Sequence, residues 1–206
     1  MSAVNQTKTR TLFLAASASL VLLTGACSSD SDSSSPATTT SASASASAEA
    51  ASTGTCPTAA PDSAATPEWT LAGDTGSIAV VGSTDTAAPA VTVEAPFSVA
   101  ETQVKTLTVG DGPVIADDAE VSVCYLGVNG RDGETFDSSY EGTGAPVDFP
   151  LNGVVAGFQK AIAGQTVGST VAVAVTSADG YPSGQPQAGI EPGDSLIFAI
   201  AILSAS

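Results

Sequence analysis

The 206-residue sequence contains no histidine, and this absence limits the chemistry that the chain can perform. Histidine-based catalytic triads, His-ligated metal sites and a histidine general base are excluded by composition. The three cysteines show no C-x-x-C spacing, and the G-x-S-x-G motif of serine hydrolases is missing. The sequence therefore predicts neither a metal site nor a cofactor, and it gives little support to conventional hydrolytic chemistry.

Basic residues are also scarce, since five Lys and Arg stand against 21 Asp and Glu, for a net charge of −16. Proteins bind the phosphate backbone of nucleic acids by placing Lys and Arg against it, so this balance excludes nucleic-acid binding. The same sign disfavours electrostatic adhesion to anionic lipid. We interpret the acidity as a source of solubility.

No apolar run reaches the roughly 20 residues that span a bilayer, but a shorter one lies near the N-terminus. Lys8 and Arg10 precede the small or apolar residues 12–23, and "LTGAC" ends at Cys27. This order is typical of a secretory signal, and "LTGAC" resembles the lipobox of bacterial lipoproteins, whose cysteine is acylated. We predict a signal peptide over residues 1–26 and lipidation of Cys27, with plain secretion as the alternative.

Cleavage of that signal would leave three basic residues against 21 acidic ones, a net charge of −18. The mature protein is then expected to be exported and held by its acyl chains at the outer face of the cytoplasmic membrane. Residues 27–55 are rich in Ser, Ala and Thr and have no apolar periodicity, which predicts a disordered linker.

Alternating and amphipathic patterns follow the linker. The alternation in "EVSVCYL" (120–126) predicts a strand that turns Tyr125 towards the core and Cys124 to the opposite face. "GVVAGFQKAIAG" (153–164) predicts one short amphipathic helix, with Gly164 able to cap its end. Further strand patterns lie at 77–81, 89–95, 102–109, 147–151, 169–176 and 194–203. Strands outnumber helices, which predicts an α+β fold with an antiparallel sheet wrapped on one helix.

We expect residues 56–99 to form an N-terminal β extension that packs on a domain of residues 100–206. Two stretches of that domain stand apart from the strand patterns. Phe136 and Asp137 lie in "GETFDSSYEG" (133–142), which is expected to be a Gly-flanked loop, and Tyr181 lies in "DGYPSGQPQAG" (179–189). The second stretch is too rich in Gly and Pro for a regular element, so both are candidate sites and not plain core.

Three stretches together resemble the FKBP-type peptidyl-prolyl cis-trans isomerases over about residues 100–206. They are "VSVCYLGVNGRDGETFDSSYEGTGAPVDFPL", "VVAGFQKAIAGQTVGSTVAVAV" and "YPSGQPQAGIEPGDSLIFAIAIL". The resemblance implies the family's fold, a twisted antiparallel sheet curled around one short helix with an apolar pocket between them. It implies catalytic roles for Tyr125, Phe136, Asp137, Tyr181 and Phe198. It also implies substrate contacts from Val147, Phe149, Val154, Val155, Phe158 and Ile190.

Four positions depart from the family's usual pattern. Phe158 takes the place of the common Trp at the pocket floor, and Val147 replaces a frequent Phe. Asp179 replaces an aromatic residue, and Pro186 stands where many relatives have His. These departures remove aromatic surface and bear on the level of activity and on the affinity for macrolide inhibitors.

The resemblance implies a peptidyl-prolyl isomerase that assists the folding of exported proteins. Its expected partners are proline-containing polypeptide substrates and macrolide inhibitors, and the protein is expected to be a monomer. One alternative is a catalytically weak binding module or holdase for proline-containing segments. A purely structural lipoprotein of the cell envelope is another.

Cys56 and Cys124 remain once Cys27 is acylated. Export permits a disulfide between them, and such a bridge would pin the N-terminal extension across the outer face of the sheet. Two unpaired thiols are the alternative.

Overall fold

The computed structural model describes residues 54–206, so the predicted signal peptide, Cys27 and nearly all of the predicted linker lie outside the described residues. Within residues 54–206, no helix is both long enough and apolar enough to cross a membrane. The described chain contains two antiparallel sheets and one α-helix.

The first sheet has three strands in sequence order, which are β1 (Trp69–Ala72), β2 (Thr75–Val81) and β3 (Ala90–Ser98). The alternation of β2 turns Ile78 and Val80 inward, where both are almost completely buried together with Phe97 of β3. The sequence patterns predicted β2 and β3, whereas β1 was not predicted.

The second sheet has six strands and carries the rest of the fold. Their order is β4 (Gln103–Thr108), β8 (Thr170–Val175), β9 (Leu196–Ala205), β5 (Glu120–Asn129) and β6 (Thr135–Ser138), and β7 (Val147–Pro150) also pairs with β5. All of these pairings are antiparallel. One α-helix, α1 (Ala156–Ile162), and two short 3-10 turns (Leu151–Gly153 and Pro186–Ala188) complete the described chain. The predicted antiparallel sheet with a single helix is confirmed.

The two faces of the six-stranded sheet bury different partners, as β9 shows most clearly. Phe198 and Ile200 pack on the side of α1 with the main core, whereas Ile197 and Ala199 pack against the three-stranded sheet. Because successive side chains of a strand point to opposite faces, β9 makes both contacts at once. The division of the chain at residue 99 stays a prediction.

Helix α1 is short and amphipathic, as the spacing of its apolar residues predicts. Phe158 and Ile162 are buried in the main core, while Lys160 is exposed. Gly164 follows the helix with a φ of 77°, a left-handed conformation that glycine adopts without strain, so the predicted cap is confirmed.

A disulfide joins Cys56 to Cys124 across 68 residues of sequence, with the two Cα atoms 5.6 Å apart. Cys124 lies on the face of β5 opposite the main core, in a small cluster with Tyr140, Leu126 and Leu203. Of the two alternatives left by the sequence, the structure contains the Cys56–Cys124 disulfide and not two unpaired thiols. It ties the start of the described chain to the six-stranded sheet.

Candidate functional site

A cavity of about 290 Å³ opens between the six-stranded sheet and α1. Apolar and aromatic side chains form most of its wall, and one carboxylate lies among them. The lining residues are Tyr125, Phe136, Asp137, Val147, Phe149, Gly153, Val154, Val155, Phe158, Tyr181 and Phe198. The structure therefore brings together ten of the eleven residues to which the sequence assigned catalytic or substrate-binding roles.

Strand pairing places the residues of one wall. Gly127 of β5 pairs with Asp137 of β6 on one side and with Phe198 of β9 on the other. The stretch around Phe136 and Asp137 was expected to be a loop, but residues 135–138 form strand β6. The reason is tertiary, because the segment has only four residues, includes Asp137, which strands disfavour, and is held by its pairing with β5.

Gly127 is needed for the close approach of two aromatic rings. A Cβ at this position would lie 2.7 Å from Cζ of Phe136 and 3.0 Å from Cε1 of Phe198. Sequence reasoning did not assign this glycine to the site. The signal that could have identified it is its position two residues after Tyr125, directly after the predicted strand.

The aromatic rings contact one another edge to face and so form a fixed wall and floor. The ring centroids of Phe158 and Phe198 are 4.7 Å apart, with planes at 85°. Those of Phe136 and Phe198 are 5.6 Å apart at 88°, and those of Tyr125 and Phe158 are 5.7 Å apart at 86°. Each such pair stabilises the arrangement by about 0.5–1.5 kcal/mol beyond the area it buries.

Polar groups lie at the edge of this apolar surface. The Tyr125 hydroxyl donates a hydrogen bond to Oδ2 of Asp137. The Tyr125 backbone N–H donates one to Oγ of Ser139 at a distance of 2.9 Å. Burial, together with the hydrogen bond to Asp137 and the charge of that residue, raises the pKa of the Tyr125 phenol well above its usual range. The phenol is therefore a donor at neutral pH. Across residues 54–206, the hydroxyl of Tyr181 meets no side-chain partner.

The remaining predicted residues lie at different depths. Val147 is at the rim with 38% of its surface exposed, and Val154 and Val155 precede α1 and line the cavity. Ile190 does not line it. Its side chain is 2% exposed within the adjoining core, and its backbone exchanges hydrogen bonds with Gln185. Gly153 lines the cavity and was not predicted.

Asp179 fixes the start of the segment that carries Tyr181. Its Oδ2 accepts hydrogen bonds from Lys160 Nζ and Thr102 Oγ1, each with a donor–acceptor distance of 2.5 Å. Its backbone carbonyl accepts a hydrogen bond from the N–H of Gly157. The hydrogen bond from Lys160 and then that from Thr102 lower the pKa of Asp179. Asp179 thus connects the segment that carries Tyr181 to α1, through Lys160, and to the start of β4, through Thr102.

Asp194 fixes the other end of the same segment. Its Oδ2 accepts hydrogen bonds from Asn129 Nδ2 at 2.7 Å, the Glu191 N–H at 2.8 Å and Arg131 Nε at 3.3 Å. Burial alone would raise the pKa of Asp194, but the three hydrogen bonds and the Arg131 charge outweigh it and lower the pKa. Arg131 also donates a hydrogen bond to the carbonyl of Gly189 at a distance of 3.0 Å. The hydrogen bonds of Asp194 and Arg131 therefore hold the segment that carries Tyr181 on the six-stranded sheet.

The fold and the cavity together define an α+β protein with an apolar cavity lined by aromatic side chains. A family model described as FKBP-type peptidyl-prolyl cis-trans isomerase matches residues 101–203, which is half of the chain. The chain therefore belongs to this family, as its sequence motifs predicted, and it is a peptidyl-prolyl cis-trans isomerase by class.

Two relatives identified by sequence agree with this assignment. The chain is 37% identical over 102 residues to a probable FK506-binding protein of Corynebacterium glutamicum, covering 48% of this chain and 82% of the relative. It is 32% identical over 108 residues to an FK506-binding protein of Streptomyces anulatus, covering 51% and 86%. A crystal structure of a peptidyl-prolyl cis-trans isomerase from Pseudomonas syringae pv. tomato is similar at 28% identity and a TM-score of 0.45, covering 51% of this chain and 75% of the other.

Proposed function

We propose that the protein catalyses the cis–trans isomerisation of X-Pro bonds in exported polypeptides. The observation that carries this proposal is the aromatic cavity, in which the rings of Phe136, Phe158 and Phe198 form an apolar wall and floor beside Val155. A prolyl ring is compact, apolar and lacks a donor, so it suits such a surface.

The cavity would act by favouring the twisted amide. Rotation about a peptide bond faces a barrier of about 18–20 kcal/mol because resonance keeps the bond planar. The planar amide is strongly polarised and well solvated in water, whereas the twisted amide is less polarised. An apolar wall therefore penalises the ground state more than the transition state, and binding differs between them without any bond being broken.

Two polar groups are proposed to orient the substrate. The Tyr181 hydroxyl, which has no side-chain partner among residues 54–206, would donate a hydrogen bond to a substrate carbonyl. Asp137 would supply an acceptor near the twisting amide while its bond from the Tyr125 hydroxyl holds both side chains in place.

The test is the isomerisation rate of short X-Pro peptides measured by NMR exchange. We expect Tyr181→Phe and Asp137→Ala each to lower kcat/KM, and the Asp137→Ala, Tyr181→Ala double variant to lower it further. Tyr140→Phe is the matched control, because Tyr140 is a buried tyrosine in the cluster around the disulfide and does not line the cavity. An unchanged rate in the double variant would rule out these roles.

We also propose that the protein is exported, lipid-anchored through Cys27 and monomeric. The Cys56–Cys124 disulfide supports export, because structural disulfides persist mainly in oxidising compartments. Incorporation of labelled palmitate that is lost in Cys27→Ser is the expected result. Two relatives bear the name FK506-binding protein, and we propose that a macrolide of that kind occupies the same cavity.

A second candidate function is a binding module or holdase with weak catalysis. The observation that favours it is the reduced aromatic surface, with Val147 at the rim and Phe158 at the floor. Suppression of client aggregation by a purified chain that leaves X-Pro exchange at the uncatalysed rate would support this candidate over the isomerase.

A further inference from the structure

The cavity carries one carboxylate that no cation of the described chain neutralises. Asp137 is the single acidic residue among the eleven that line the cavity, and it is exposed. Its observed partner is the Tyr125 hydroxyl, which is neutral at physiological pH. None of the ion pairs between residues 54 and 206 includes Asp137.

The three basic residues of the described chain are all engaged or directed elsewhere. Arg131 pairs with Asp132 at 3.0 Å and with Asp194 at 3.3 Å, and Lys160 pairs with Asp179 at 2.5 Å. Lys105 lies on β4 opposite Ala172, whose side chain packs towards the three-stranded sheet. Because residues opposite each other in a sheet point to the same face, Lys105 lies on the side away from the cavity.

The surrounding charge has the same sign as Asp137. Between residues 54 and 206 there are 18 acidic and three basic residues, a net charge of −15. Such an excess produces a negative potential around the molecule, and a cleft with apolar walls concentrates it. A cationic ligand group approaching the cavity is therefore attracted both by the whole surface and by one defined carboxylate.

We propose that Lys or Arg immediately before the proline is favoured over a neutral side chain of similar length, with Asp137 as the counter-charge. This inference rests on the proposed isomerase function, in which Asp137 lies near the twisting X-Pro amide. The side chain of X begins one bond from that amide. Lys and Arg can lay their apolar stems along the cavity rim near Val147 while the charged end reaches the carboxylate. A Glu or Asp at X is repelled.

The size of the preference follows from the exposure of Asp137. Exposed ion pairs in water are weak, which corresponds to about a twofold to fivefold gain in kcat/KM for Lys over a neutral side chain of similar length. The field of the whole surface adds to the association rate, and both contributions decline as salt rises.

The experiment compares peptides that differ only at X, with Lys against Nε-acetyl-lysine and Glu against Gln. NMR exchange measures the catalysed rate without a coupling protease, whose own specificity would bias the series. We expect Lys to exceed acetyl-lysine and Glu to fall below Gln in about 0.01 M salt. Both ratios should approach one in about 1 M salt, where the screening length falls from about 30 Å to about 3 Å.

Two variants separate Asp137 from the general field. Asp137→Asn should lower the Lys to acetyl-lysine ratio to the smaller value that the field of the remaining surface charges produces, even if absolute activity declines. Asp74→Asn, an exposed acid in the turn between β1 and β2, should leave that ratio unchanged. Peptide affinity, measured by NMR titration of both variants, gives the same comparison should Asp137→Asn lose turnover.

The outcomes distinguish the two proposals. Catalysis of no peptide would overturn the isomerase proposal itself. Catalysis with equal rates for Lys and acetyl-lysine would overturn the substrate preference alone. A Lys preference of undiminished size in Asp137→Asn would overturn the assignment to Asp137.

Discussion

Replacing Gly127 with alanine should displace one wall of the cavity. The new Cβ would lie 2.7 Å from Cζ of Phe136, whereas ordinary contacts begin near 3.4 Å, so the ring has to retreat by about 0.7 Å. That movement disturbs the edge-to-face contact with Phe198. Overpacking of a core costs about 1–3 kcal/mol, and an aromatic pair contributes about 0.5–1.5 kcal/mol. We expect the free energy of unfolding to fall by about 2 kcal/mol.

The same displacement should lower catalysis. Loss of about 1.4 kcal/mol of transition-state stabilisation corresponds to a tenfold fall in kcat/KM, which is the effect we expect on X-Pro exchange measured by NMR. Chemical denaturation gives the stability. Gly180→Ala is the control, since a Cβ there meets the carbonyl of Thr176 at 3.4 Å and other atoms at ordinary distances. It should change stability by less than about 0.5 kcal/mol.

A double-mutant cycle tests the steric reasoning directly. Leucine at position 136 lacks the ring carbon that the new Cβ meets first. Gly127→Ala should therefore cost much less stability in the Phe136→Leu background than in the wild type, with a coupling energy of about 1 kcal/mol or more. Equal costs in the two backgrounds would refute the view that Gly127 exists to admit the Phe136 ring.

Three further predictions concern other parts of the molecule. Reduction of the Cys56–Cys124 bridge, which closes 68 residues of sequence, should lower the free energy of unfolding by about 4 kcal/mol, and an unchanged denaturation midpoint under reductant would contradict this. The pKa of Asp194 is lowered from its ordinary value of 3.8, so its stabilisation is present above that value and is lost as the pH falls through the folded-state pKa. Asp194→Asn should therefore flatten the acid limb of stability against pH, and parallel limbs for the two proteins would speak against it. Because the pKa of Tyr125 is raised above its ordinary 10.0, wild-type X-Pro exchange should be independent of this group between about pH 6 and pH 9, and a titration there that disappears in Tyr125→Phe would disprove the assignment.

Strands with a regular alternation were predictable from sequence, and those without one were not. Leu196, Phe198, Ile200 and Ile202 of β9 share the face that packs on the main core, because successive side chains of a strand point to opposite faces. Strand β6 has no such row of apolar residues. It is a strand because the neighbouring β5 supplies hydrogen-bonding partners, and that information lies outside its own four residues.

The candidate site divides in a similar way. Motif order and residue type were enough to predict the aromatic wall. Asp194 accepts side-chain hydrogen bonds from Asn129 and Arg131, which are more than 60 residues away in sequence. No local sequence pattern predicts hydrogen bonds between residues so far apart. Ile190 was assigned to the substrate surface, yet the turn that it forms with Gln185 directs it into the core.

The disulfide also determines how the protein would respond to a pulling force. Tension applied to the chain before Cys56 passes through the bridge into Cys124 and so enters the six-stranded sheet at β5. The residues between the two cysteines, which include the whole three-stranded sheet, lie outside that line of force. Mechanical unfolding of the oxidised protein should therefore release a chain shorter by about 230 Å than unfolding of the reduced protein, at about 3.4 Å for each of the 68 residues. A pull on the chain ahead of Cys56 would therefore leave the three-stranded sheet without load.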